Sequence, residues 1–256
     1  MGEFSIVWPA LIAGLLITAT HVPLGIQVLR RGIVFIDLAV AQIAGLGVVT
    51  ADWLGFEPRG FAVQVAALAA ALVGALLLNW TDKRWPDVQE AIIGVTFILA
   101  ANVAILLLAS NPHGAEHLKD LLVGQILWVG MGTLVIVAVL YAAILILWFG
   151  AGERTGRISE IWHARFYLLF ACAVTASVQL VGIYLVFTTL IVPALATRAF
   201  AGRRLGAGYA IGAAAYAVGL GLSLVSDLPP GPLIVCCMTG LGLVVLVLTS
   251  RRRVPT

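Results

Sequence analysis

The chain has 256 residues, of which 62% are hydrophobic and 11% charged, with a formal net charge of +3. A soluble domain carries about 25% charged residues, so this composition excludes a soluble globular protein, a disordered chain, a disulfide-stapled secreted domain and a single anchor on a soluble head. The apolar runs are long, continuous and rich in Ala, Leu and Gly, not short and alternating, which excludes an outer-membrane barrel and predicts an all-α, polytopic helical protein of a bacterial inner membrane.

A membrane-spanning helix takes about 20 apolar residues, which leaves room for about eight to ten spans, and nine are predicted. The first runs from Ile6 to Leu29 and stops at Arg30–Arg31; it is read as a retained span because Met1–Phe4 lacks the basic start of a signal peptide. The second covers Ile33–Leu54 and ends in the turn-rich Gly55–Gly60. The third covers Phe61–Asn79, followed by a polar loop, Thr81–Glu90, holding Lys83 and Arg84. The fourth covers Ala91–Ser110, and a polar stretch, Asn111–Asp120, follows. A short segment, Leu121–Val129, leads into the fifth span, Met131–Phe149, and then the Gly- and Arg-rich loop Gly150–Arg165. The apolar stretch Phe166–Ala201 is too long for one span; Val181–Gly182 is the expected break, which makes the sixth and seventh spans short, the seventh kinked at Pro193. The eighth covers Leu205–Val225 and contains a G-x-x-x-G, Gly208 and Gly212, that favours close helix packing, internal or between subunits. After the Pro/Gly turn Ser226–Pro232 the ninth ends at Arg251–Arg253. Residues 1–256 are read as one transmembrane domain.

The basic residues give this map a direction. With the N-terminus outside and the C-terminus cytoplasmic, all 15 Lys and Arg residues except Arg59 and Lys119 fall on the inside, as the positive-inside rule requires. The net charge therefore marks topology, not a nucleic-acid partner.

Few ionisable groups remain within the membrane, where each costs several kcal/mol. His21 lies late in the first span, roughly 14 Å from the Arg30–Arg31 boundary, and Asp37 early in the second, roughly 9 Å from it. Two helices joined by a tight turn are antiparallel neighbours, so the two side chains are expected at similar depth. Gln42 follows Asp37 by five residues, about 140° around an ideal helix; a bend near Gly45 and Gly47 would bring it round. An imidazole and a carboxylate suit divalent zinc or manganese; the alternative is an internal His–Asp hydrogen bond that locks the hairpin.

His113, Glu116 and His117 have the H-x-x-E-H order of a metalloprotease motif. That motif needs a helix inside a large catalytic domain, and here it falls in a short outside loop after Pro112, so hydrolysis is not the expected chemistry. The alternatives are a collector of divalent cations at the entrance and a solvated loop. His163 lies among Arg157, Glu160 and Arg165 and reads as a surface residue. Cys172, Cys236 and Cys237 lie in apolar runs without metal-ligand spacing and read as small buried hydrophobes. Neither lysine follows a Gly-rich loop, so there is no Walker A motif and this chain is not expected to hydrolyse ATP; no nucleophile–base pair stands out.

Three stretches resemble the ABC-3 type permeases for zinc, manganese and iron. Pro23–Leu24–Gly25, the Leu29–Arg30–Arg31 stop, Asp37 and Gly45–Leu46–Gly47 resemble the start of that family. Asp120–Leu121–Leu122–Val123–Gly124–Gln125–Ile126–Leu127 resembles its D-L-L-x-G-x-I-L element. Val181–Gly182–Ile183–Tyr184–Leu185–Val186, with Leu190–Ile191–Val192–Pro193–Ala194–Leu195–Ala196–Thr197–Arg198, resembles its VG-x-LLV…LLIxPAATAR block. One departure matters: where the family commonly has a histidine four residues after the aspartate, Ala41 stands, followed by Gln42. A ligand set of His21, Asp37 and Gln42 would replace the missing imidazole.

The resemblance implies a dimeric permease, two copies of a separate ATPase docked near Arg154–Arg165, and an extracytoplasmic metal-binding protein that delivers the cargo. The cargo is a divalent cation, zinc favoured over manganese for the available imidazoles, with no permanently bound cofactor. The competing expectations are an ABC permease for a metal chelate or a cobalamin-like ligand, and an ATP-independent ion-coupled carrier, which would need more midplane carboxylates than Asp37.

Overall fold

The computed structural model describes residues 2–57, 60–108, 122–150, 159–200 and 202–251. Among them are nine α-helices: α1 Gly2–Arg31, α2 Ile36–Trp53, α3 Phe61–Arg84, α4 Gln89–Leu108, α5 Met131–Gly150, α6 Ser159–Val181, α7 Ile183–Ala196, α8 Arg204–Ser226 and α9 Pro230–Arg251. Single 3-10 turns stand at Pro86–Val88 and Ile126–Trp128. Eight of the helices are long and apolar enough to cross a membrane. The remaining one, α7, has 14 residues and covers about 21 Å, short of the roughly 30 Å hydrocarbon core. The expected break falls where it was placed, at Gly182, whose φ of 79° is open to glycine.

Several boundaries differ from expectation. α6 begins at Ser159, inside the expected loop Gly150–Arg165. α3 runs past Asn79 to Arg84. Thr81 donates to the Leu78 carbonyl at 3.0 Å, and Lys83 and Arg84 in the last turn complement the negative end of the helix dipole. Gln89 and Glu90, expected in a loop, form the first turn of α4.

The chain divides into two compact units. Unit 1 comprises Met1–Arg31, Leu122–Ala143 and Leu180–Thr256. In it α1 packs on α7 and α8, and α9 packs on α7 and α8. Small residues set these distances. A Cβ on Gly25 would overlap the Leu190 carbonyl, one on Gly208 would lie 2.6 Å from Val22, and one on Gly212 would lie 2.5 Å from Thr18. The G-x-x-x-G of α8 is thus an internal contact with α1. Tyr216 of α8, wholly buried, lays its ring against Gly14 and shares a hydrogen bond of 3.1 Å with the Thr189 hydroxyl of α7.

Unit 2 comprises Gly32–Leu121 and Ile144–Gln179. Its α2 lies between α3 and α4. Gly47 lets the Ala66 carbonyl and Ala70 of α3 approach, where a Cβ would lie 2.7 and 2.8 Å from them, and Gly74 of α3 receives Ile43. Arg165 donates to the Leu147 carbonyl, and Trp148 and Phe166 stack with centroids 6.2 Å apart.

Large apolar side chains cover the exposed faces of α4, α5 and α9, among them Ile98, Leu106, Ile136, Ile146, Val244 and Leu248, as helices bordering lipid require. The cysteines depart from the buried expectation: Cys236 is exposed on α9, Cys172 and Cys237 are half-buried, and all three are free thiols. In a lipid-facing helix a thiol needs no protein partner to be kept from water.

Candidate functional site

Buried hydroxyls in this chain mostly satisfy themselves. Thr18, Ser177, Thr189 and Thr197 each donate to the carbonyl four residues back, at 2.6–2.8 Å. That local bond is the usual solution for Ser and Thr in apolar helices, and it marks these residues as structural. The ionisable and amide side chains in the membrane are different.

His21 of α1, in unit 1, has no exposed surface. Its Nδ1 lies 3.0 Å from the Ile17 carbonyl and 3.0 Å from the Thr20 hydroxyl. A carbonyl only accepts, so Nδ1 is the donor in that bond. Holding one ring nitrogen on a backbone carbonyl fixes the tautomer and ring orientation, as metal-binding histidines are commonly held. The Thr20 hydroxyl is itself 3.0 Å from the Ile17 carbonyl, and the Tyr141 ring lies with its centroid 6.4 Å from the imidazole.

Asp37 of α2, in unit 2, is 1% exposed; neither carboxylate oxygen makes a hydrogen bond of full geometry, and the backbone N–H groups of Asp37 and Leu38 lie against it. Its place in the first turn of α2 puts the carboxylate at the positive end of that helix. The dipole offsets only part of the several kcal/mol that an unpaired buried carboxylate costs. A proton or a cation supplies the remainder. Gln42, also buried, follows on the same helix. α2 is one α-helix from Ile36 to Trp53, running through Gly45 and Gly47. Both side chains are buried because α2 is covered by α3 on one side and α4 on the other. Ala41 is 1% exposed, so the position where the family commonly has its histidine lies in packed protein here.

His113, Glu116 and His117 lie outside the described residues, as do Arg154 and Arg157. Among the described residues no three His, Cys, Asp or Glu side chains form a group that would hold a metal ion. Further buried side-chain oxygens of unit 2 without a full-geometry bond include those of Asn79, Gln89, Glu90 and Thr175. Sequence reading missed Gln89 and Glu90 because it assigned them to a solvated loop. The available signal was antiparallel order: the end of α3 and the start of α4 must stand beside the start of α2.

Membrane-crossing helices with a buried carboxylate on one of them fit a transport protein. The chain belongs to the ABC 3 transport family, whose model matches residues 3–152 and 153–249. It is a multi-pass membrane permease, and ATP hydrolysis in such a transporter belongs to a separate subunit. The high-affinity zinc uptake system membrane protein ZnuB of Haemophilus influenzae is 24% identical over 98% of this chain and 99% of its own length. The manganese transport system membrane protein MntC of Halalkalibacterium halodurans is 24% identical over 75% of this chain and 68% of its own. The solved structure of PsaBC from Streptococcus pneumoniae in complex with Fab has a TM-score of 0.75 at 20% identity, covering 94% of this chain and 90% of that one. At that identity the likeness shows the fold.

Proposed function

We infer that the chain is the permease of an ABC importer for a divalent metal ion, zinc in preference to manganese. The observation that carries this reading is Asp37, a carboxylate 1% exposed with no side-chain hydrogen-bond partner among the described residues, in a chain of the ABC 3 transport family. A group in that state gains most from a passing cation. His21 supports zinc, because its Nδ1 is held on the Ile17 carbonyl and its Nε2 is the borderline nitrogen donor that zinc accepts more readily than manganese does. The relatives named for zinc and for manganese, equally distant in identity, do not separate the two metals; the nitrogen donor of His21 favours zinc.

Gln42 completes the donors on α2. The His113–Glu116–His117 loop gathers the cation outside, where a binding protein delivers it. The permease works as a homodimer with the N-termini outside and the C-termini in the cytoplasm, and the Arg154–Arg165 segment receives the ATPase. The test is uptake of zinc and of manganese, each alone and in competition, by the permease and its ATPase in proteoliposomes. Saturable, ATP-dependent zinc uptake that manganese competes with weakly is the expected outcome. Uptake of manganese with zinc excluded would overturn the choice of metal.

A further inference from the structure

The α2–α4 part of unit 2 has unpartnered oxygens at one end. Because α2, α3 and α4 run alternately, the N-terminus of α2, the C-terminus of α3 and the N-terminus of α4 share that end. Two hydrogen bonds tie them together. Glu90 Oε1 accepts the Phe35 N–H at 3.3 Å, and Gln89 Nε2 donates to the Leu78 carbonyl at 2.9 Å. Phe35 is the N-cap of α2 and has no side-chain cap bond of its own. Asp37 follows two residues later, within about 7 Å along the chain.

The opposite poles of these same side chains are unsatisfied. Gln89 is 2% and Asn79 9% exposed, yet Gln89 Oε1 and Asn79 Oδ1 are buried with no partner among the described residues, as is Glu90 Oε2. Gln89 gives its amide nitrogen to Leu78, so its oxygen is the group left over; the Glu90 carboxylate faces the N–H groups of Phe35 and Val34, and its Oε2 makes no bond of full geometry. Orphaned buried polar atoms are rare in folded proteins and call for an ion, a water or a function. Gln89 Oε1 and Asn79 Oδ1 are acceptors with no donor, and the carboxylates of Asp37 and Glu90 face only backbone N–H groups, a surplus of acceptors that fits a cation.

We propose that Glu90, with the amide oxygens of Gln89 and Asn79, forms a second cation station between Asp37 and the aqueous end of unit 2. Its ligand is a divalent metal ion in transit. One carboxylate and two neutral amide oxygens make a hard, weakly charged donor set. Such a set lacks the imidazole and thiolate donors that retain zinc, so it releases its ion. One turn beyond Asn79, Lys83 and Arg84 are exposed in the last turn of α3, on the end that basic residues mark as inward. The station therefore lies on the exit side.

The proposal rests on the reading that the cation passes Asp37, and the experiment separates the two. Initial rates of zinc uptake are measured in proteoliposomes holding the permease and its ATPase, for Glu90→Gln, Glu90→Asp and Asp37→Ala, with the thermal unfolding of each. Glu90→Gln keeps an acceptor for the Phe35 N–H but removes the charge; Glu90→Asp keeps the charge but shortens the reach to Phe35. A charged station makes Glu90→Gln the slower variant, with the maximal rate lowered about tenfold and the half-saturating zinc concentration nearly unchanged. A helix cap alone reverses the order, with Glu90→Gln at the wild-type rate and Glu90→Asp the less stable protein. That reversed order, with uptake lost in Asp37→Ala, overturns the station and leaves the role of Asp37 standing. Wild-type uptake in both Glu90→Gln and Asp37→Ala overturns both.

Discussion

The backbones of Gly124 and Gly182 cross in contact: a Cβ on Gly124 would overlap the Gly182 nitrogen, and a Cβ on Gly182 would overlap the Gly124 nitrogen. Both glycines have positive φ, 71° and 79°. The crossing pins the segment before the Ile126–Trp128 turn to the break between α6 and α7, and Gly231 at the start of α9 closes on the Val123 carbonyl. Alanine at either crossing position meets two separate obstacles. Gly124→Ala and Gly182→Ala should each destabilise the permease by more than the roughly 1–3 kcal/mol of an unfavourable φ alone. Thermal unfolding of the detergent-solubilised proteins checks this against Gly221→Ala, where a Cβ meets nothing within 4 Å.

The Tyr216–Thr189 pair gives an ordered prediction. Thr189 donates to the Leu185 carbonyl at 2.7 Å, so the Tyr216 hydroxyl is the donor in the 3.1 Å bond between them. Tyr216→Phe removes one bond cleanly and should cost about 0.5–1.5 kcal/mol, whereas Thr189→Val strands a buried hydroxyl and should cost about 1–3 kcal/mol. Equal losses of thermal stability would contradict this arrangement.

His21 makes its local bond through Nδ1, so a substitution separates packing from ligation. His21→Asn retains a side-chain N–H but has no lone-pair nitrogen where Nε2 stands. Its expected effect is a rise of about 10- to 100-fold in the zinc concentration needed for half-maximal uptake, the range found when a metal ligand's support is lost. An unchanged zinc dependence would leave His21 as a packing residue.

The outside loop and the inside loop have separate tests. Replacing His113 and His117 together should weaken uptake at limiting zinc and spare it at excess. Reversing charge at Arg154, Arg157 and Arg165 should release the ATPase on co-purification without changing the amount of permease in the membrane. Unchanged uptake at limiting zinc, or an ATPase retained, sinks the respective role.

Much of the architecture was legible before the structure. Helix number, the Gly182 break and most boundaries follow from hydropathy and punctuation, because a membrane chain must satisfy its backbone within each helix. The stretches that carry the family resemblance turn out to be packing devices: Gly25 receives the Leu190 carbonyl, and Gly124 meets Gly182. They report the fold more directly than the cargo. His21 and Asp37 were legible because so few ionisable residues lie in apolar runs. Gln89 and Glu90 were not, since a polar residue at a helix start looks the same in sequence whether it faces water or the neighbouring helix. Gly47 of α2 makes room for α3, a tertiary role that periodicity along one helix does not reveal.

The central claim is that a divalent cation passes the buried carboxylate of Asp37. The direct measurement is ATP-driven zinc uptake by proteoliposomes containing the Asp37→Ala permease with its ATPase, at saturating zinc and with the amount and thermal unfolding of the protein matched to wild type. Uptake reduced to the level of liposomes without ATP is the expected result. Zinc uptake at the wild-type rate would contradict it.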